Sequence, residues 1–378
     1  MTSQADHQRL DRDALIPQAL PGLRFAEHRA AIDEAIARVF ARGQFILGEE
    51  VTAFEAEFAQ YLGARHVVTV SSGTQALCFA LSALGVKPGD EVVTVSMTFA
   101  ATAAAIELIG ARPVFVDVDP ATRCMDPRAL EAAIGPATAA ILPVDLHGCP
   151  ADMIAINAVA QRQGLAVLAD CAQSHGASID GRRTGTLAHA SAFSFYPTKL
   201  LGAAGDGGAV ATNDAGLAER IRRLRNYGFD DTARAIALGT NGRLDELQAA
   251  ILRVLLPDLD RQISRRRALA AQYRTHLNGA PLELPPAHEG AVYYQFAIAL
   301  DQRDQVRERL RTHHRIDTGI HFEFGVHHHP HYARPGLALP VTERLGRQLV
   351  SLPIQPEVAE GHVDEIAAAV IESIGACR

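Results

Sequence analysis

Lys199 ends the run Phe193-Ser194-Phe195-Tyr196-Pro197-Thr198-Lys199 and is followed by a glycine-rich stretch, Gly202 to Gly208. A lysine amine that is partly desolvated and close to other cations loses its proton more easily and can form an imine with an aldehyde. The glycines after it let the backbone pass close to a bulky ligand. Asp170 follows the apolar run LAVLA. A carboxylate there could keep a pyridine nitrogen protonated and make its ring an electron sink, although an Asp in that place can also simply cap a turn. Earlier in the chain, HVVTV leads into Ser71-Ser72-Gly73-Thr74-Gln75. Gly73 permits a close turn and the free N–H groups of a helix start favour phosphate, while Ser and Thr are also ordinary helix caps. Each feature alone has a bland structural reading. The three together, in one chain order, carry the chemical argument.

The elements that must position these residues form an alternating series. HVVTV (66–70), EVVTV (91–95), PVFVD (113–117), AAILPV (139–144) and LAVLA (165–169) are strand-like, with ASAFSF (190–195) and GGAVATN (207–213) extending the set. Between them lie helical stretches such as TQALCFALSAL and ADMIAINAVAQRQG. This alternation predicts an α/β protein with a mostly parallel sheet and helices on both faces, and strand ends that line a ligand crevice. Leu244, Leu247, Ile251, Val254 and Leu255 share one helical face, and Pro257 is expected to kink or end that helix. An Arg-rich helix should follow from about Ser264 to Leu277, then a strand AVYYQFAIAL and a charged helix RDQVRERLRTHH. The expected organisation is a large domain over 1–257, including an N-terminal helical segment, and a smaller α+β domain over 258–378.

Composition narrows the function classes. Across 378 residues, 48% are hydrophobic and 21% charged, ordinary values for a folded globular protein. The formal net charge of −7 disfavours nucleic acid and anionic membrane surfaces as partners. The Arg265–Arg267 run reads as a solvated helix face. The N-terminal residues lack the apolar run of a secretory signal, no stretch has the length of a membrane span, and the five cysteines are scattered without a CxxC pair. A cytoplasmic protein with reduced thiols is expected, without a disulfide frame or a metal site.

The motifs SSGTQAL, PGDEVVT, TFAATAAAI, GARPVFVDVDP, PADM, DCAQSHGA, FSFYPTKLLGAAGDGGAV and GTNGRLDELQAA occur in that order. With this series the chain resembles the DegT-type (DegT/DnrJ/StrS) nucleotide-sugar aminotransferases, pyridoxal-5'-phosphate enzymes of the aspartate-aminotransferase fold (fold type I). The resemblance runs from FILGEEVTAFEAEFAQYLG to the C-terminus. It implies that Lys199 binds the cofactor covalently and shuttles the proton, that Asp170 pairs with the pyridine nitrogen, and that Gln173 lies near the phenolic oxygen. Gly73, Thr74, Gln75 and Ser194 would hold the phosphate and Phe99 would stack on the ring, its ordinary alternative being core packing. Asn241 matches an asparagine donated across a homodimer interface, and Arg243 and His321 match positions lining the sugar-nucleotide pocket. Departures are Cys171, Leu200 and Phe322, the last replacing a tyrosine and removing a hydroxyl.

The resemblance implies transfer of an amino group from L-glutamate to a nucleotide-linked keto-sugar. Within it, Gly205-Asp206-Gly207-Gly208 favours amination at the third carbon, with a thymidine-linked 3-oxo-6-deoxyhexose first and a uridine-linked N-acetylhexosamine uronate as competitor; Asp206 could also serve only its own turn. Amination at the fourth carbon, a sugar dehydratase of the same fold and a non-catalytic regulatory protein are the alternatives. Lys199 argues against the dehydratase, in which histidine replaces the lysine. His327, His328, His329 and His331 invite a metal reading, but consecutive residues do not easily converge on one ion, and the family has a substrate-proximal loop there. Pocket lining is the expectation for them.

Overall fold

The computed structural model describes residues 15–377. The N-terminal residues used for the secretory-signal reading, the start of the expected N-terminal helical segment and Arg378 lie outside them. Eleven strands occur among the described residues: β1 His66–Val70, β2 Glu91–Val95, β3 Arg112–Val116, β4 Thr138–Leu142, β5 Ala166–Asp170, β6 Ser178–Ile179, β7 Arg182–Arg183, β8 Ala190–Ser194, β9 Gly208–Thr212, β10 Phe296–Ala299 and β11 Leu349–Leu352. Seven form one sheet in the order β1-β9-β8-β5-β4-β2-β3. The pairs β2–β3, β2–β4, β4–β5 and β5–β8 are parallel, whereas β9 is antiparallel to both β1 and β8. The central strands read as nearly continuous apolar runs because both of their faces are covered. Val67, Val68, Val92, Val93, Ile141, Val167 and Leu168 accordingly belong to one large core.

Some of the helices begin where a short polar side chain satisfies a free amide. Ser72, Asp152 and Asp214 cap Gly73–Ala83, Met153–Gln163 and Ala215–Leu224 by accepting from the amides of Gln75, Ala155 and Leu217. The helix Glu49–Leu62 is capped from far along the chain. Buried Glu246 accepts from the amides of Gly48, Glu50 and Val51 at 2.8–2.9 Å. Within GTNGRLDELQAA, Glu246 is therefore a structural residue.

The helix Glu246–Leu255 ends just before Pro257 as expected; the proline sits in a single 3-10 turn, Leu256–Asp258, and the Arg-rich helix follows as Leu259–His276. A proline is tolerated in a first turn because its missing N–H would have no partner there. Two expectations about the C-terminal part need correction. The strand expected over AVYYQFAIAL is formed only at Phe296–Ala299. Upstream, the amides of Val292 and Gln295 donate to the carbonyls of Gly148 and His147 and leave the sheet ladder. The Arg265–Arg267 run is not a solvated face. Arg266 is buried and donates to the carbonyls of Tyr293 and Tyr294, Arg267 donates to the Ala291 carbonyl, and Arg265 pairs with Glu357 and Glu360.

β10 and β11 pair antiparallel beside a second core that includes Tyr273, Phe296, Leu310, Val350 and Ile366. Ile16 joins this core from the other end of the chain, through backbone bonds with Arg315 and Asp317.

Candidate active site

Strand polarity assembles the site. β1, β2, β5 and β8 run the same way, so their C-terminal ends share one edge of the sheet. β9 runs oppositely, so the segment preceding it, with Asp206, arrives at the same edge. A cavity of about 440 Å³ opens there. Its lining includes Gly73, Thr74, Phe99, Asp170, Gln173, Ser194, Lys199, Asp206 and His321, brought together from five separate parts of the chain.

Asp170 ends β5 and is buried. One carboxylate oxygen accepts from the Ala172 amide at 3.1 Å and the other from the Thr102 hydroxyl at 2.9 Å. Thr102 is in turn 2.8 Å from Thr98. Burial pushes the Asp170 carboxyl above its ordinary range, against the pull of those bonds and of Lys199's charge. Behind it, Asp145 is pushed up to about 6 by burial, although it accepts from the Ala151 amide and the Ser174 hydroxyl. Lys199 Nζ projects to 4.7 Å from the centre of the Tyr294 ring. The backbone around the lysine is pinned by Arg24, whose guanidinium donates to the carbonyls of Lys199, Leu200 and Pro197 at 3.1, 2.6 and 3.3 Å.

At the other end of the cavity the chain packs too closely for side chains. A Cβ on Gly73 would lie 2.7 Å from Ser194 Cβ, and one on Gly208 only 2.4 Å from the Ser72 carbonyl oxygen. Phe99 is 62% exposed, which excludes core packing as its role; its ring lies 5.9 Å from that of Phe322. His321 Nδ1 is 3.0 Å from Ser351 Oγ, and burial followed by Lys199's charge lowers its pKa to about 4. Gln173 Oε1 accepts from the His147 amide at 2.6 Å, and His147 Nε2 meets the His321 carbonyl at 2.6 Å.

Three sequence-predicted residues do not line this cavity. The Gln75 amide is taken up by the Ser72 cap, and its side chain donates to Thr240. Asn241 is exposed and bridges Asn226, and Arg243 donates to Asn226 Oδ1 at 3.0 Å while lying over the Tyr227 ring. The histidines at 327, 328, 329 and 331 do not line it either, so the pocket-lining expectation for them fails in this chain. Their turn packs outward onto Ala103 and Phe115 through Val326. Conversely, Thr102, Arg24 and Tyr294 were missed. Nothing in the local sequence marks Arg24 or Tyr294.

The residues present fit pyridoxal phosphate. The helix start at Gly73, lining the cavity with Thr74 and Ser194, offers free amides to a phosphate, an exposed aromatic ring offers a stacking face, and a buried carboxylate with raised pKa calls for a cationic partner. Fold and cavity together define a pyridoxal-phosphate-dependent transferase of fold type I. A family model described as the DegT/DnrJ/EryC1/StrS aminotransferase family matches residues 26–371, and the chain belongs to that family. It is 46% identical over 362 residues to a dTDP-3-amino-3,4,6-trideoxy-alpha-D-glucose transaminase of Micromonospora megalomicea subsp. nigra, covering 93% of this chain and 97% of that one. It is 41% identical over 341 residues to a UDP-2-acetamido-2-deoxy-3-oxo-D-glucuronate aminotransferase of Pseudomonas aeruginosa, covering 90% and 95%. Among solved structures it resembles DesV of S. venezuelae in complex with a ketimine intermediate, with a TM-score of 0.92, 44% identity and coverage of 95% and 98%. The protein is thus a pyridoxal-phosphate aminotransferase. No helix among the described residues is long and apolar enough to cross a membrane.

Proposed function

We propose that this enzyme transfers an amino group from L-glutamate to the third carbon of a nucleotide-linked 3-oxo-sugar, with a thymidine-linked 6-deoxyhexose as first choice. The observation that carries the chemistry is the convergence of Lys199, Asp170 and Phe99 on one cavity. Pyridoxal phosphate, when bound, supplies the electron sink that lets a proton leave the nitrogen-bearing carbon. Lys199 Nζ anchors the cofactor and takes and returns that proton. Asp170, held by Thr102 and Ala172, keeps the ring nitrogen protonated. Phe99 covers one ring face, Gln173 faces the phenolic oxygen, and Gly73, Thr74 and Ser194 hold the phosphate. The neutral His321 ring offers substrate a hydrogen-bonding group. Glutamate leaves as 2-oxoglutarate and the keto-sugar takes the nitrogen.

Amination at the third carbon is supported by the cavity position of Asp206 and by the names of the two relatives, both of which act on 3-amino or 3-oxo sugars. The uridine-linked N-acetylhexosamine uronate of the second relative is the competing substrate. We also propose a homodimer that completes the site. Asn241 lies in a surface rich in exposed apolar side chains, including Phe45, Ile46, Tyr227, Ile236 and Leu238. Ile46 bridges Asp245, and the Phe45 carbonyl accepts from the Glu246 amide, so this patch is continuous with the Asn241 segment. In that arrangement Asn241 serves the partner's cofactor, while Gln75 and Arg243 keep the phosphate and sugar-nucleotide roles the resemblance implies. The free, mostly buried cysteines suit a cytoplasmic enzyme.

The test is glutamate-dependent amination across a panel of nucleotide keto-sugars, with NMR locating the nitrogen-bearing carbon. Amination of 3-oxo sugars at the third carbon is the expected result. Exclusive amination at the fourth carbon would end the positional reading, and no amination of any nucleotide keto-sugar would end the proposal.

A further inference from the structure

Outside the cavity, three potential metal donors face one another across two elements. His327 and His328 lie on the 3-10 turn Val326–His328, and Glu343 lies on the helix Pro340–Gln348. Glu343 Oε1 is 3.5 Å from His327 Nε2 and 3.9 Å from His328 Nε2, and the three donor atoms all lie within 4.8 Å of one another. Donors bound to one tetrahedral zinc at about 2.0–2.1 Å stand roughly 3.4 Å apart, so a small closing movement suffices. The tight turn overcomes the usual divergence of consecutive side chains, and the two imidazole centroids are 4.0 Å apart.

The surroundings are built around the buried ring. The His327 side chain is only 1% exposed. Its Nε2 is too far from Glu343 for a good hydrogen bond and has no closer protein partner. A lone pair facing a carboxylate is repelled, so a proton or a cation belongs between them. Nδ1 lies 2.6 Å from Ser96 Oγ, which also accepts from the His327 amide at 3.0 Å. With Nδ1–H donating to Ser96, Nε2 is left free to bind an ion, the second arrangement expected of a metal-ligating histidine. Glu343 Oε1 is oriented by the Leu339 amide at 3.0 Å. A Cβ on Gly325 would lie 2.7 Å from His327 Nδ1, so the glycine lets the ring fold back. The His328 side chain is 45% exposed, leaving a fourth position open to water.

We propose that His327, His328 and Glu343 bind one divalent ion of the zinc class per chain, at a site separate from the cofactor cavity. Imidazole and carboxylate donors in this ratio suit zinc, with cobalt as its spectroscopic substitute. The ion joins the turn after the His321–Phe322 segment to the helix Pro340–Gln348, beside Ser96 at the end of β2. It thereby fastens one wall of the cavity.

The test uses tag-free holoenzyme titrated with zinc chloride by calorimetry, and with cobalt chloride followed by visible absorption. The expected result is one ion per chain and cobalt bands of four-coordinate type. His328→Ala and Glu343→Gln should each weaken binding by about tenfold or more, whereas a His329→Ala/His331→Ala double variant should bind as wild type does. Circular dichroism establishes that each variant is folded; should one not fold, the remaining variants and the wild-type cobalt spectrum still decide. Absence of binding to wild type, unchanged affinity in His328→Ala and Glu343→Gln, or loss of binding in the His329/His331 double variant would overturn the proposal.

Discussion

Lys199 illustrates how much a single side chain can carry when its surroundings are prepared by others. Its Nζ faces the Tyr294 ring and the Asp170 carboxylate lies close enough to feel its charge, yet the side chain makes no bond on which the sheet depends. Lys199→Ala should therefore fold normally while losing both the covalent anchor and the proton carrier. Turnover should fall by at least about 10²–10⁴-fold, the usual contribution of a positioned acid–base group. Steady-state kinetics with the far-UV spectrum as control checks this, and near-normal turnover would refute the assignment. Lys199, Asp170, Gly73 and Ser194 were all legible in the sequence. Asp170 and Ser194 end strands, Gly73 starts a helix, and Lys199 lies in the turn that follows β8, places that local residue patterns mark.

At the scale of elements, the lysine loop is held from the N-terminal helix Pro21–Glu27. Arg24 reaches three carbonyls there, and the helix is itself tied down at Leu20, whose amide and carbonyl both bond the Gln355 side chain. Hydrogen bonds to a charged group contribute about 1.5–3 kcal/mol when partly buried. Arg24→Ala should accordingly loosen the loop and weaken pyridoxal-phosphate binding by about ten- to a hundredfold. Equilibrium dialysis of the cofactor measures this directly; retention as tight as in the unaltered protein would show that the loop holds its shape unaided. This contact spans 175 residues. No local pattern could have announced it.

Two expectations belong to the whole molecule. If paired subunits share sites through Asn241, mixing Lys199→Ala with Asn241→Ala subunits by co-expression should restore part of the activity that each variant lacks alone, since one site of the heterodimer is intact. A fully active monomer in sedimentation at working dilution would contradict the shared site. The second concerns acid. Burial holds His147 and His175 at about 3 and His321 at about 4, below the ordinary imidazole value of 6.5. Between pH 6.5 and 4.5 the unfolded chain takes up protons that the folded protein refuses, so stability should fall as pH falls. Asp145, raised to about 6, and Asp170, also raised by burial, act in the opposite sense over part of that window, but two carboxyls oppose three imidazoles. Each imidazole contributes a slope of up to about 1.4 kcal/mol per pH unit. Urea unfolding across this range should show the trend, and His175→Gln should flatten it by about one proton. A pH-independent midpoint in the unaltered protein would count against these buried neutral rings.

What the sequence determined by itself was the alternation of strands and helices and the chain order of the helix start at Gly73, the carboxylate Asp170 and Lys199. Both follow from interactions among near neighbours: side-chain periodicity, capping, and the freedom of Gly73. It could not tell that Arg266 would be buried, or that Arg266 and Arg267 would clamp the segment upstream of β10 away from the sheet. Those outcomes depend on what packs opposite. The same holds for Thr102 on Asp170, for the arrival of Asp206 along an antiparallel strand, and for the meeting of His327 and His328 with Glu343. Residues far apart in the chain become neighbours only when the sheet order and the helix packing are settled, and that balance of burial against lost chain entropy is struck by the molecule as a whole.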